Sequence, residues 1–359
     1  MANKTIHSAF RTEFRLNRSK IFNIRSWYPK HMFASMKQMQ SKLRSIDGII
    51  EVHDARIPLT GRNPLFYEQL YAIKPHLLLF NKADLIEKDI QPIAEQAVRT
   101  SDRNLKTIFW GTMKKNPYKL SEQIQDEMVS QMQQQPRFHR SETVGLLCQL
   151  WFNRYLNTTI HYNVMVIGIP NVGKSTVINA LRTQMTKKKG GTKVGDKPGV
   201  TRSVLMKIRI CDNPLTYILD TPGVVAPNVN SAEALLKMSL CYTIPNDRID
   251  PIVLADYLLY RLNKCGNTSY LEKSGLVEPC DSINEVLVCV ATYNNLYVRQ
   301  QPITQRSTVD NPDVEIPDVI RAAHLFVDCY RKGYYGKLIL DDIIAANGDV
   351  DNIVSMTDT

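Results

Sequence analysis

The stretch YNVMVIGIPNVGKSTVINALR, residues 162–182, constrains the fold more than any other. An apolar run enters a loop with glycines at Gly168 and Gly173, and Lys174 and Ser175 then open a helix-like segment. Glycines at this spacing let backbone N–H groups curl around a polyanion at a helix N-terminus, where the dipole favours negative charge. The order strand, loop, helix therefore predicts a P-loop in a doubly wound α/β domain. Lys174 is expected to reach the β- and γ-phosphates of a nucleotide, and Ser175 to offer its hydroxyl to Mg²⁺. Asn171, Val172 and Thr176 lie in the same cradle and are expected to contact the nucleotide.

A second motif closes another strand. In TYILDTPG, residues 216–223, Asp220 is placed to hold Mg²⁺, usually through water, and the Gly223 amide to meet the γ-phosphate. Between the two motifs lies KKKGGTKVGDKPGVTR, residues 187–202, a Gly- and Lys-rich loop suited to ordering around Mg²⁺ and γ-phosphate. Thr201 is its candidate Mg²⁺ ligand, with Thr192 the competitor. Lys187, Lys188, Lys189 and Lys193 read either as a solvated face or as an RNA contact.

A P-loop does not separate ATP from GTP. The tetrad Asn81-Lys82-Ala83-Asp84 does, at the end of the buried run PHLLLF, residues 75–80. The Asp84 carboxylate can accept two hydrogen bonds from the N1–H and exocyclic amine of guanine, which adenine lacks, and a site built on that pair rejects the wrong base. Asn81 is expected to brace the neighbouring loops, and the Lys82 stem to pack along the base.

The base reader thus precedes the phosphate cradle, the reverse of an ordinary domain. One sheet can still form if the usual ends are joined by a connector, for which residues 112–160 suffice, and new termini open between the DTPG and NKAD strands. The expected fold is a circularly permuted P-loop domain with a doubly wound, mostly parallel sheet, followed by a mainly helical C-terminal domain. Strands are read at DGIIEVHDARIP (47–58), PHLLLF (75–80), KTIFWG (106–111), 162–170 and 216–223. Helical patterns are read at 36–46, across 120–160, and in the tail at 250–262 and 316–333. The expected boundaries are 1–26 for an N-terminal targeting segment, 27–226 for the nucleotide domain and 227–359 for the helical tail. In the permuted order the DTPG switch leads straight into that tail, so loss of γ-phosphate could reorient it.

Composition bears on partners and compartment. The 359 residues carry a net charge of +10, which suits either a basic enzyme or a protein with a polyanionic partner such as RNA. Seven scattered cysteines argue for a reducing compartment over a disulfide framework or zinc site. No run of eighteen apolar residues indicates a membrane span. The first 26 residues hold Lys4, Arg11, Arg15, Arg18, Lys20 and Arg25 against Glu13, with Phe10, Phe14, Ile21 and Phe22 among them. Such an Arg-rich, acid-poor segment fits a mitochondrial transit peptide, the favoured reading, or a basic arm that grips nucleic acid.

With these motifs in this order, the chain resembles the circularly permuted ribosome-assembly GTPases of the YlqF/RbgA type and their mitochondrial counterparts. The resemblance rests on WYPKHM (27–32), DARIPLTGRNP (54–64), LLLFNKADL (77–85), IGIPNVGKSTVIN (167–179), DKPGVTR (196–202) and LDTPGV (219–224), with RKGYYGKL (331–338) a looser echo. It implies GTP hydrolysis stimulated by the mitochondrial large ribosomal subunit, late maturation of that subunit, and an rRNA-binding tail. It further implies a monomer in the mitochondrial matrix, with peripheral contact to the inner membrane. The competing reading is a GTP-gated RNA-binding factor in translation or tRNA processing.

The same resemblance assigns further residues. His31 matches the candidate catalytic His of the family, although Lys30 stands where the family has Gly. It would replace the water-orienting Gln of Ras-like enzymes, whose place is taken by Val224. Asn171 resembles the Asn that ligates K⁺ in cation-dependent GTPases. The loop beneath the guanine is FWGTMKKN, residues 109–116, where Gly111 and Thr112 substitute for the expected Ser-Ala or Asn-Ser pair. Arg56 either contacts rRNA or braces the fold.

Overall fold

The computed structural model describes residues 10–15, 41–62, 74–102, 105, 107–134, 161–186, 207–212, 214–221, 231–245, 248–300 and 314–343. Six strands form one sheet: β1 (Gly48–Asp54), β2 (His76–Asn81), β3 (Thr107–Trp110), β4 (His161–Ile167), β5 (Lys207–Asp212) and β6 (Leu215–Asp220). Their order is β3-β2-β1-β4-β6-β5. All neighbours run parallel except the β5 edge, which is antiparallel to β6 and shifts register between Arg209 and Cys211.

The strand sequences account for this layout. β2, HLLLFN, is buried at every residue, and β4 at all but its first two, as expected for parallel strands covered on both faces. β5 alternates exposed and buried residues over its first half, which suits an edge. Helices α1 (Ile90–Ser101), α2 (Pro117–Gln134) and α3 (Lys174–Thr186) belong to the same unit. The sheet places the ends of β1, β2, β4 and β6 side by side, so that Asp54, Asn81, Gly168 and Asp220 follow from one edge of it.

The chain divides into two compact units. The sheet unit runs from Arg25 to Asn230 and takes in residues from Asp341 onward. Asp341 accepts hydrogen bonds from the Leu59 and Thr60 amides, at 2.8 and 3.0 Å, and from the Thr60 hydroxyl.

The other unit comprises Ser231–Leu340 together with the N-terminal segment to Ile24. It contains α4 (Ala232–Leu240), α5 (Pro251–Lys264), α6 (Tyr270–Ser274), α7 (Ile283–Tyr293) and α8 (Val319–Arg331). Asp250 caps α5 by accepting from the Ile252 amide at 2.8 Å. A two-stranded hairpin, β7 (Tyr297–Gln300) and β8 (Val314–Pro317), precedes α8. The helix expected from residue 316 therefore begins later. Pro317 ends β8, and the Asp318 side chain caps α8 by accepting from the Arg321 amide at 2.9 Å. Among the described residues no helix is long and apolar enough to cross a membrane.

Candidate functional site

The glycine loop leaves β4 and enters α3 at Lys174. Two of its glycines are set by close approach and backbone conformation. Gly168 has φ +147°, and a Cβ there would strike the carbonyl oxygen of Val52 on β1. Gly173 has φ +101°, and a Cβ there would strike the side-chain nitrogen of Asn81. Any L side chain would be strained at both positions as well as crowded. Asn171 is left-handed too, at φ 59°.

Lys174 is buried, and its ammonium donates to the carbonyls of Gly168 at 3.1 Å and Ile169 at 2.8 Å. Burial lowers its pKa to about 8, against the opposing pull of Asp220. Asp220, at the end of β6, has its own pKa raised by burial, with Lys174 opposing. Its Oδ1 is buried without a hydrogen-bond partner among the described residues. A carboxylate oxygen left free beside the phosphate loop fits a hydrated divalent cation, and the Ser175 hydroxyl stands in the first turn of α3. Thr176 follows it there, and Thr221, after Asp220, donates its hydroxyl to the Val166 carbonyl.

The Asn81–Asp84 tetrad is joined to this loop directly. Asn81 Nδ2 donates to the Val172 carbonyl at 2.8 Å, and Asn81 Oδ1 accepts from the Met113 amide at 3.1 Å. One side chain thus ties the end of β2 to the P-loop and to the loop after β3. Lys82 takes the left-handed conformation, φ 61° and ψ 32°, and its ammonium reaches the Asn171 carbonyl at 3.0 Å and Asp54 Oδ2 at 2.8 Å. The Ala83 amide donates to the Gly111 carbonyl at 3.1 Å.

Asp84 is half-buried. The Thr112 hydroxyl donates to its Oδ1 at 2.8 Å and accepts from its amide at 3.1 Å, while Lys115 pairs with its Oδ2 at 2.8 Å. Burial raises the Asp84 pKa, but the bonds from Lys115 and Thr112 outweigh it and leave the carboxyl below its ordinary range.

The structure therefore gathers Asn81, Lys82, Ala83, Asp84, Gly111, Thr112, Gly168, Asn171, Val172, Gly173, Lys174, Ser175, Thr176 and Asp220 around the ends of adjacent strands. Asn81 and Val172, 91 positions apart in the chain, are joined by one hydrogen bond. His31, Thr201 and Gly223, and the lysines of the 187–202 loop, lie outside the described residues.

Three participants were not assigned from sequence. Lys115 lies within the 109–116 loop beside another exposed lysine, Lys114, and its ion pair with Asp84 sets it apart. Asp54 and Arg56 carry the other signal. Arg56 is buried, and its guanidinium forks onto Asp54 through Nε at 2.9 Å and Nη2 at 2.8 Å. Of the two readings open for Arg56, the brace is the one its burial supports. Asp54 ends the strand next to the one that carries the tetrad, facing Asn81 in register.

Comparison with known proteins agrees with this geometry. A family profile described as "50S ribosome-binding GTPase" matches residues 163–261, which contain the P-loop and DTPG but not the tetrad that precedes them. The chain is 38% identical over 339 residues to "Mitochondrial GTPase 1" of Aedes aegypti, covering 93% of this chain and 98% of that one. It is 39% identical over 337 residues to "Mitochondrial ribosome-associated GTPase 1" of Bos taurus, covering 94% and 93%. Among solved structures, GNP-bound YlqF from T. maritima superposes with a TM-score of 0.50 at 20% identity, covering 86% of this chain and 98% of that one, a likeness of fold. A tetrad that precedes its P-loop yet closes on it through Asn81 and Val172, in a chain aligned over almost its whole length with such relatives, leads to one conclusion: the chain is a circularly permuted P-loop GTP hydrolase and belongs to the mitochondrial ribosome-associated GTPase 1 family.

Proposed function

We propose that the protein binds the mitochondrial large ribosomal subunit and its rRNA in the matrix, promotes late assembly of that subunit, and hydrolyses GTP when the particle stimulates it. The observation that supports the nucleotide part is the Asn81–Val172 bond, which joins the tetrad to the glycine loop despite their inverted order. The names of the relatives support the mitochondrial and ribosomal part. The nucleotide domain is assigned to the sheet unit, Arg25–Asn230 with residues from Asp341 onward, and rRNA binding to the helical unit, Ser231–Leu340.

In this reading Asp84 accepts from the guanine edge, with Thr112 and Gly111 shaping the floor beneath it. The Lys82 stem lies along the base. Gly168, Asn171, Val172, Gly173, Lys174 and Thr176 line the phosphates, where Lys174 counters the β- and γ-charge. Ser175, Thr201 and Asp220 would hold Mg²⁺, which supplies Lewis-acid stabilisation of charge on the phosphoryl oxygens. Asn171 would take K⁺, which serves as a fixed positive charge near the α- and γ-phosphates. The Gly223 amide senses the γ-phosphate, and His31 orients or deprotonates the attacking water, a role open to a neutral imidazole.

Co-sedimentation with mitochondrial ribosomal subunits tests the proposal. Binding to the large subunit in the presence of a non-hydrolysable GTP analogue, with release in GDP, is expected. Association with tRNA alone would favour the competing translation or tRNA-processing role. Subunit assembly that proceeds at the normal rate in His31→Ala, with hydrolysis abolished, would reduce the protein to a GTP-gated RNA-binding factor.

A further inference from the structure

Lys82 adopts a left-handed backbone conformation, which a residue bearing a side chain keeps only where its surroundings hold it. Two acceptors do so, the Asn171 carbonyl and Asp54 Oδ2. Asp54 is fully buried, and among the described residues Arg56 and Lys82 donate to its oxygens. Oδ1 accepts from the Arg56 amide at 3.1 Å and Nε at 2.9 Å, and Oδ2 from Arg56 Nη2 and Lys82 Nζ. Burial alone would raise the Asp54 pKa, but the two cations hold it far below the carboxylate range. The backbone is pinned as well, since the Ala55 amide donates to the Asn81 carbonyl at 2.9 Å.

We infer that Asp54 is a positioning residue for nucleotide binding: it holds the Lys82 ammonium against the Asn171 carbonyl, so that the base-reading loop and the phosphate loop form one rigid wall. Arg56 keeps Asp54 ionised and aimed. The inference rests on the guanine-reading role of the NKAD tetrad, and its test separates the two.

A double-mutant cycle with Asp54→Asn and Lys82→Met, read by dissociation of a fluorescent GDP, provides that test. Each single change is expected to speed dissociation about tenfold, the scale of one charge-assisted contact. The double variant should be no faster than either single one. Additive effects, or wild-type dissociation in Asp54→Asn, overturn the inference. If Asp54→Asn does not fold, Arg56→Met is added to both arms so that the buried pair is removed together, and failure of that pair to fold assigns Asp54 to the fold and overturns the inference too. Asp84→Asn tests the underlying reading separately. Its amide can donate to the second carbonyl of xanthine, so preference should move from guanine to xanthine nucleotides. An unchanged preference would remove the guanine reading itself.

A different observation carries a second inference. Within the N-terminal segment read as a transit peptide, Arg11 donates through its amide and Nε to Asp281 Oδ2, at 2.9 and 3.0 Å, and through Nη2 to Asp256 Oδ1 at 2.8 Å. The Phe14 ring packs edge-on against Tyr257, centroids 5.1 Å apart, and lies 5.7 Å from Tyr260, whose hydroxyl donates to the Thr12 carbonyl at 3.1 Å. Both tyrosines are core residues of α5.

A disposable leader need make no such contacts with the fold it leaves behind. We infer that residues 10–15 stay in the mature protein as a strap on the helical unit, so that any import processing falls before Phe10. Mass spectrometry of the protein recovered from mitochondria should find an N-terminus at or before residue 10. A start after Phe10 overturns the inference. Arg11→Ala combined with Phe14→Ala should lower the melting temperature of the helical unit by about 4 °C in the full chain, and an unchanged value also counts against the strap.

Discussion

Strand β1 carries two buried ionic clusters that differ in what surrounds them. At its end, Asp54 holds Arg56 and Lys82, and Lys82 passes on to the P-loop. Earlier in the strand, Glu51 pairs with His53 at 2.6 Å, His76 at 3.1 Å and Arg62 at 3.2 Å, and Arg62 also reaches Asp102 at 3.1 Å. Glu51, His53, Arg62, His76 and Asp102 belong to neither the P-loop, the tetrad nor DTPG. Desolvation largely offsets the attraction within a buried ion pair, yet removing one partner strands the other at high cost. The same kind of substitution should therefore read out on nucleotide dissociation at Asp54 and on folding at Glu51.

The largest effect is expected at Glu51. Glu51→Gln leaves Arg62 with a weaker partner set and should cost about 3–5 kcal/mol in denaturant unfolding of the sheet unit. The folded fraction should release GDP within about twofold of the wild-type rate, the scale of about 0.4 kcal/mol. A large change in release would erase the contrast between the clusters. Acid adds a second readout. Burial raises the Glu51 pKa, but Arg62 and His53 outweigh it and hold the carboxyl well below its usual range. The unfolded chain therefore takes up the proton first. The stability Glu51 contributes is present above its unfolded pKa of about 4.3 and is lost as pH falls through the lower folded value. Wild-type protein should thus lose stability more steeply than Glu51→Gln below about pH 4.

Lys174 provides an intermediate effect at the opposite end of the pH scale. Its pKa of about 8 lies below that of an ordinary lysine. Bound phosphate favours the charged ammonium, so above that pH binding must take up a proton. Affinity for GTP should hold below about pH 7 and fall by up to about tenfold per unit above about pH 8. GDP release from Asp54→Asn should carry the same pH profile at a faster rate. A profile that disappears with Asp54→Asn would place the titration in the clamp and not in the P-loop.

The contrast also marks what could be read from the chain. The P-loop and the tetrad were legible because their backbone geometry demands particular residues at fixed spacing, as Gly168 and Gly173 do. Their inverted order implied a permuted sheet, and the strand order agrees. The Glu51 cluster was hidden, because its members stand 2, 11 and 25 residues from Glu51, and Asp102 stands 40 from Arg62. No local period connects them. Arg56 stayed ambiguous for a related reason: a basic residue beside a loop looks the same whether it faces RNA or a buried carboxylate. The β7–β8 hairpin escaped because each strand is only four residues long, and β8 was absorbed into the periodicity of α8.

Lys115 bounds the comparison at its weak end. It too pairs with a carboxylate of the tetrad, but its side chain is 67% exposed, where Asp54 and Arg56 are buried. An exposed pair is screened by solvent and is worth about 0.2–1 kcal/mol. Lys115→Ala should therefore change GTP affinity by less than about fivefold, and raising the salt concentration should shrink even that difference. Thr112 still holds Asp84 Oδ1 in that variant, so guanine preference should survive. If Lys115→Ala instead matched Asp54→Asn in GDP release, burial would not be what separates a positioning charge from a surface one at this site.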